Sequence, residues 1–170
     1  MGRDTKPILI STTLMGLAVL LQSTLLHWVA LKGVKPDLAL VVLVYVAIRK
    51  GSMVGQVSGF AAGIVEDVLS LSPLGYHALF RTVLGFFYGL TVGSILIDPV
   101  LMPIILLIIA TVIKGLISSL VVLLFAIPAI GFSRFAGSFW IELGYNALLA
   151  PFLFAALGLI KSLRSREREE

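Results

Sequence analysis

The sequence contains no cysteine and few charged residues, and these two absences narrow the class of protein. Without cysteine, disulfide bonds and thiolate metal sites are excluded. Charged residues make up 13% of the 170 residues while 59% are hydrophobic, and soluble domains carry roughly twice that charged share. So few polar residues cannot cover a globular core of this size in water. The composition therefore predicts an integral membrane protein with one domain.

Sequence signatures of common catalytic and nucleotide-binding sites are also missing. The chain has no His-Glu-x-x-His helix, no Gly-x-Ser-x-Gly turn and no phosphate-binding Gly-rich loop. The net charge of +4 arises mainly from Lys and Arg at the ends of apolar runs, which is typical of membrane topology. We therefore expect no catalytic residue, no cofactor, no metal and no nucleic-acid partner.

Apolar segments occupy most of the chain and predict an all-α bundle. The second apolar segment, residues 36–48, is only about 20 Å long as a helix. It therefore either crosses a thin bilayer or enters and leaves the membrane on the same side. The prediction is six transmembrane helices, or five plus one re-entrant segment, followed by a charged tail at residues 161–170. The six segments are residues 8–31, 36–48, 53–71, 78–97, 99–127 and 139–160.

The distribution of Lys and Arg predicts the orientation. If all six segments cross, eight basic residues lie on the side of both termini and four on the other side, with Lys114 inside a span. Basic residues favour the cytoplasm, so the C-terminal tail is predicted to be cytoplasmic. If the second segment re-enters, the N-terminus moves outside and the tail stays inside. Either way, Asp67, Arg81 and Glu142 lie toward the outer face.

Two runs of glycine at a four-residue step predict a packed helical hairpin. Such spacing keeps glycines on one helix face, where another backbone can approach closely. The spacing also predicts a register, in which Gly63 meets Gly85, Gly59 meets Gly89, Gly55 meets Gly93 and Asp67 meets Arg81. The runs are Gly51, Gly55, Gly59 and Gly63, ending at Asp67, and Arg81 followed by Gly85, Gly89 and Gly93.

Ionisable residues at membrane depth are the candidate site, because such residues are costly and commonly functional. We favour mutual neutralisation of Asp67 and Arg81, with His77 in the interfacial loop. The alternative is an enzyme in which Asp67 and His77 act as acid and base. For Lys114 the sequence leaves three candidate partners, namely Glu142, Asn146 and a polar group of another protein.

An ordered set of residues resembles the rod shape-determining protein MreD family. The resemblance covers about 36–93 by motif and the rest of the chain by size and hydropathy, while Glu66, Arg81 and Lys114 fall outside the family pattern. The set comprises Pro36-Asp37-Leu38, Gly51, Gly55, Gly59-Phe60, Gly63, Asp67, Leu74-Gly75, Ala78-Leu79, Gly85 and Gly89.

This resemblance implies a protein of the bacterial inner membrane that takes part in cell-wall elongation. The implied partner is MreC, a protein with one membrane helix, and through it the actin-like MreB and the RodA glycosyltransferase with its transpeptidase. Membrane lipid and a second copy of the chain are further expected partners. The implied fold is similar to the substrate-binding components of energy-coupling-factor vitamin transporters. The implied role is an adaptor that binds the membrane helix of MreC.

Two rival functions stay open at the level of sequence. A small-molecule transport component would need an outward cavity, to which Asp67, Arg81, Glu142 and Asn146 could contribute. A membrane enzyme acting on a lipid-linked wall precursor would use Glu66, Asp67 and His77.

Overall fold

The chain folds into α-helices joined by short connections. The computed structural model describes residues 5–70, 72–93, 98, 100–124, 132–160 and 163. The helices are α1 (Thr5–Thr24), α2 (Leu38–Lys50), α3 (Ser52–Ser70), α4 (Tyr76–Leu90), α5 (Leu101–Leu124) and α6 (Phe132–Gly158), with a short 3₁₀ helix at Leu26–Val29. Each predicted segment overlaps one of these helices, and for the described residues the prediction of an all-α protein is confirmed. The prediction that all six segments cross the membrane stays a prediction. The predicted charged tail lies outside the described residues, apart from Leu163.

Side-chain and glycine caps set several helix ends. The Asp37 carboxylate accepts a hydrogen bond from the Leu40 N–H at 2.9 Å and begins α2. Gly51 ends α2 with a φ of 93°, a left-handed conformation that suits glycine. Asp98 accepts from the N–H groups of Val100 and Leu101 at 3.0 and 2.9 Å, at the start of α5. These bonds stabilise its charged form and lower the pKa of Asp98 below 3.8.

The short helix α2 lies at the centre of the fold. Ten consecutive residues, Ala39–Ile48, are buried, so this helix has no polar face. A helix that is apolar all round belongs in a protein interior or in a membrane. The positions of contacting residues show that α2 runs antiparallel to α3, because Gly55 lies against Ala47 and Gly59 against Leu43. The other helices pack around α2.

Helices α3 and α4 form a close antiparallel pair, but the predicted register is wrong. Gly55 faces Gly85, Gly59 faces the carbonyl of Arg81, and Gly63 faces Ala78. Each residue of α3 therefore meets a residue about eight positions earlier in α4 than predicted, a displacement of about 12 Å along the helices. The connection after Ser70 doubles back along α3, since the Gly75 N–H reaches Asp67 at 2.8 Å. Helix α4 consequently begins beside Asp67 and not beside the last residue of α3.

Two of the seven predicted stripe glycines lie outside the helices. Gly51 caps α2 and lies against Gly89, where an added Cβ would be 2.6 Å from the Gly51 carbonyl carbon. Gly93 follows α4 with a φ of 75°, and a Cβ there would meet nothing within 4 Å. Gly93 thus serves a turn and does not pack against Gly55.

Three described helices are long and apolar enough to cross a membrane. They cover Thr5–Thr24, Leu101–Val121 and Gly137–Gly158. Helices α2, α3 and α4 have 13, 19 and 15 residues, and α2 and α4 are shorter than the roughly 20 residues a span usually needs.

Candidate functional site

A buried ion network surrounds the first turn of α2. Asp37 accepts hydrogen bonds from Arg81 Nη2 at 3.1 Å and from Lys114 Nζ at 2.7 Å. Arg81 Nη2 also contacts Glu66 Oε2, and Lys114 Nζ contacts Glu142 Oε1 at 2.5 Å. We define these five residues, Asp37, Glu66, Arg81, Lys114 and Glu142, as the ion network. It joins α3, α4, α5 and α6 to the start of α2.

Neutral polar groups extend the ion network to the remaining helix. Gln22 of α1 donates to Glu66 Oε1 at 2.8 Å and accepts from the Ala39 N–H at 3.3 Å. Asn146 of α6 accepts from the Asp37 N–H at 2.9 Å and donates to Thr111 Oγ1 at 3.1 Å. Polar contacts near one end of α2 therefore involve all six helices. Buried groups satisfied in this way specify one arrangement of helices.

The predicted ion pair between Asp67 and Arg81 is not formed. Asp67 accepts from the N–H groups of Gly75 and His77, each at 2.8 Å, and contacts His77 Nδ1 at 2.7 Å. The carboxylate therefore caps the positive end of α4. Because the α4 N-terminus already satisfies Asp67, Arg81 is free to bind Asp37 and Glu66.

His77 lies in the first turn of α4 and not in the interfacial loop that the sequence suggested. It contacts Asp67, as the enzyme alternative required. However, both Asp67 oxygens accept backbone N–H groups, so the carboxylate is held in a structural role. Among the described residues, no group of three or more His, Asp or Glu side chains could hold a metal ion.

Lys114 binds Glu142, one of its three predicted partners, and Asp37, which was not among them. Asn146 instead hydrogen-bonds the Asp37 backbone. Sequence reasoning missed Asp37 and Gln22 as members of the site. The signals were present, since Asp37 immediately precedes an apolar run, as a helix N-cap does, and Gln22 is a polar residue inside an apolar segment.

A cavity lies between the first turn of α4 and the helices α5 and α6. Its volume is about 200 Å³, and its polar lining includes His77, Thr111, Lys114, Ser118, Ser138 and Glu142. Of the four residues proposed from sequence to line a ligand cavity, Glu142 alone does so. Asp67, Arg81 and Asn146 are buried, at no more than 2% exposure each.

Comparison with known proteins decides the family. A family model described as rod shape-determining protein MreD matches residues 3–160. The chain belongs to the MreD family. This match confirms the resemblance and includes the last two helices, where the MreD likeness rested on hydropathy alone. No curated protein and no solved structure matches the chain.

Membership of the MreD family implies a part in rod shape determination. The ion network and the close α3–α4 pair are features of this MreD-family chain to which the family description assigns no role.

Proposed function

We propose that this MreD-family protein is a non-catalytic membrane adaptor of the complex that elongates the bacterial cell wall. The observation that carries the proposal is the family match over 3–160. The adaptor binds the membrane helix of an MreC-type partner, and through that partner it is linked to MreB and to the RodA–transpeptidase pair. The site supports a structural role, because the charged groups of the ion network contact one another.

The proposed location is the bacterial inner membrane, with all six helices crossing and the C-terminus in the cytoplasm. The helix directions support six crossings. Gln22 near the end of α1 contacts Ala39 at the start of α2, and Tyr88 near the end of α4 contacts Leu106 near the start of α5. Helices α2, α3 and α4 alternate in direction, and α5 and α6 are antiparallel, because Lys114 meets Glu142 and Thr111 meets Asn146. With this orientation, the ion network lies in the outer half of the bundle.

The partner helix must bind a lipid-facing side of the bundle. The glycines of α3 and α4 pack against each other and against α2, so the glycine surface is filled within the chain and is not open to a partner. Helices α1, α5 and α6 keep exposed apolar faces, including Leu17, Leu116 and Leu148 at 51%, 66% and 67% exposure. Each face contacts either lipid or a partner.

Co-purification tests the adaptor function. In mild detergent, the protein should capture an MreC-type single-span partner, and it should still do so after the partner's soluble region is deleted. Because a lipid-buried interface depends on shape and small residues, capture should change little with salt. Binding that requires only the soluble region would contradict the proposal.

Crosslinking from single cysteines identifies the face. The native chain has no cysteine, so Leu17→Cys, Leu116→Cys and Leu148→Cys each introduce one reactive thiol. We expect one of the three positions to crosslink to a cysteine in the partner's membrane helix, while the other two serve as controls. Crosslinking of a variant to itself would instead indicate a homodimer at that face.

A small-molecule transport component is the second candidate, and the cavity is the observation that bears on it. Its volume of about 200 Å³ lies below the roughly 300–1,000 Å³ of typical small-molecule sites. A vitamin-sized ligand does not fit such a space without rearrangement. Ligand-dependent thermal stabilisation of the purified protein would favour this alternative.

A further inference from the structure

The ion network carries more negative than positive groups. It contains three carboxylates, Asp37, Glu66 and Glu142, against two cations, Arg81 and Lys114. Arg81 is fully buried and Asp37 is 5% exposed. An uncompensated charge in such an environment is expensive. His77 lies 3.8 Å from Glu66 and 2.7 Å from Asp67. With these two residues the cluster holds four carboxylates against at most three cations, so a further group must neutralise one carboxylate.

The cavity lies beside the carboxylate that is nearest to solvent. Glu142 lines the cavity and has a side chain that is 21% exposed, against 5% for Asp37 and 14% for Glu66. Lys114 also lines the cavity, but its ammonium already contacts two carboxylates. The cavity wall therefore favours a positively charged group and disfavours an anion.

Ser118 supplies a second, independent indication of a ligand. Its side chain lines the cavity although the residue is only 4% exposed. Its neighbour Ser119 bonds the carbonyl four residues earlier, at 2.8 Å, whereas Ser118 has no hydrogen-bond partner among the described residues. Because Ser118 lines the cavity and its hydroxyl has no partner among the described residues, this hydroxyl is available to a bound group.

The size and the position of the cavity suit a headgroup. About 200 Å³ accommodates a few polar atoms, since a water molecule in the liquid occupies about 30 Å³. Within the described residues, no Cα atom of α4 lies within 8 Å of one in α6. The backbones of these two helices are therefore not in close contact beside the cavity.

We propose that this cavity binds a primary ammonium group, which donates hydrogen bonds to Glu142 and Ser118 and balances the charge of the ion network. The group comes either from an aminophospholipid, such as phosphatidylethanolamine, or from a soluble amine. A quaternary ammonium has no N–H to donate, so phosphatidylcholine is a poor substitute. This inference is independent of the adaptor function.

Lipid retention and thermal stability test the proposal. The whole protein is reconstituted in nanodiscs containing equal parts of phosphatidylethanolamine, phosphatidylcholine and phosphatidylglycerol, and the lipids that stay bound after transfer to detergent are measured by native mass spectrometry. We expect phosphatidylethanolamine to be retained about tenfold over phosphatidylcholine. In parallel, melting temperatures are measured in phosphatidylcholine nanodiscs with and without ethanolamine.

Three variants serve as comparisons. Glu142→Gln removes the charge with little change of shape, and Ser118→Ala removes the hydroxyl; both should reduce the preference for phosphatidylethanolamine to near unity. Asp98→Asn removes a carboxylate outside the cavity and should keep the preference. If Glu142→Gln does not fold, the lipid preference of the wild-type protein and of Ser118→Ala still decides the matter.

Two outcomes support the proposal and distinguish the source of the amine. Retention of phosphatidylethanolamine that ethanolamine cannot displace indicates a lipid site, whereas a rise in melting temperature with ethanolamine alone indicates a soluble ligand. Equal retention of the three lipids, with no change of the melting temperature on addition of ethanolamine, would overturn the proposal. The surplus charge would then be neutralised by a proton. Neither result depends on capture of the MreC-type partner, so the two proposals fail separately.

Discussion

Two carboxylates of this chain show how the surroundings of a residue decide its role. Asp37 and Asp67 are both buried and both accept backbone N–H groups at a helix start. Asp67 is satisfied by the first turn of α4. Asp37 keeps both oxygens available to cations, Oδ1 to Arg81 and Oδ2 to Lys114. Arg81 therefore pairs with Asp37, although Asp67 was the more obvious partner by spacing.

Replacing Arg81 should destabilise the fold strongly. Arg81→Met keeps much of the side-chain volume but leaves Asp37 and Glu66 without their shared cation. Removing one partner of a buried pair costs about 3–5 kcal/mol, which is measurable as SDS-induced unfolding in detergent micelles. The matched control is Lys6→Met at an exposed position, which should change the free energy of unfolding by less than about 0.5 kcal/mol.

The double variant Glu66→Gln/Arg81→Met checks the cause of that loss. Asp37 keeps Lys114 as a partner, whereas Glu66 loses its only cationic hydrogen-bond donor. Neutralising Glu66 therefore removes the unpaired charge, and the double variant should be more stable than Arg81→Met alone. Simple addition of the two single effects would contradict a direct Arg81–Glu66 interaction.

At the scale of elements, the glycines of α3 allow three helices to pack in a small space. Gly55 lies between Ala47 of α2 and Gly85 of α4, and Gly59 lies between Leu43 and Arg81. A side chain at either position would meet another backbone, which cannot move as a flexible side chain can. The glycine spacing therefore predicted the close packing of α3 and α4 correctly. The register between the two helices depended on where α4 begins.

Gly85→Ala should separate α3 from α4. The new Cβ would lie 2.5 Å from the backbone C and O of Gly55, so the backbones must move apart. We expect a loss of about 1–3 kcal/mol in the free energy of unfolding. Gly144→Ala is the matched control, because a Cβ there meets nothing within 4 Å. That variant should be neutral or stabilising by up to about 1 kcal/mol. Equal effects of the two variants would refute close packing at Gly85.

At the scale of the whole molecule, the short helix α2 organises the bundle. Its 13 residues span about 20 Å, less than the hydrocarbon thickness of a bilayer. Its start is polar through Asp37, and its end carries Arg49 and Lys50. The other helices surround it, so α2 is shielded from lipid, and its length need not match the membrane.

Accessibility labelling tests the orientation of the whole molecule. A reporter fused after Glu170 should indicate the cytoplasm, because basic residues are concentrated on that side. Ser72→Cys should react with a membrane-impermeant reagent added outside, and Thr5→Cys should be protected in intact cells. Labelling of Thr5→Cys from outside would show that the first two segments do not both cross. An external C-terminus would reverse the whole assignment.

The sequence alone determined the membrane class, the six apolar segments, the close approach of α3 and α4, and the MreD resemblance. These follow from composition and local spacing, which need no knowledge of distant residues. Tertiary structure alone decided which charges meet, because Asp37, Glu66, Arg81, Lys114 and Glu142 come from five helices and local spacing carries no information about their convergence. It also decided the register of the hairpin, since the connection after α3 doubles back and Asp67 is used to cap α4.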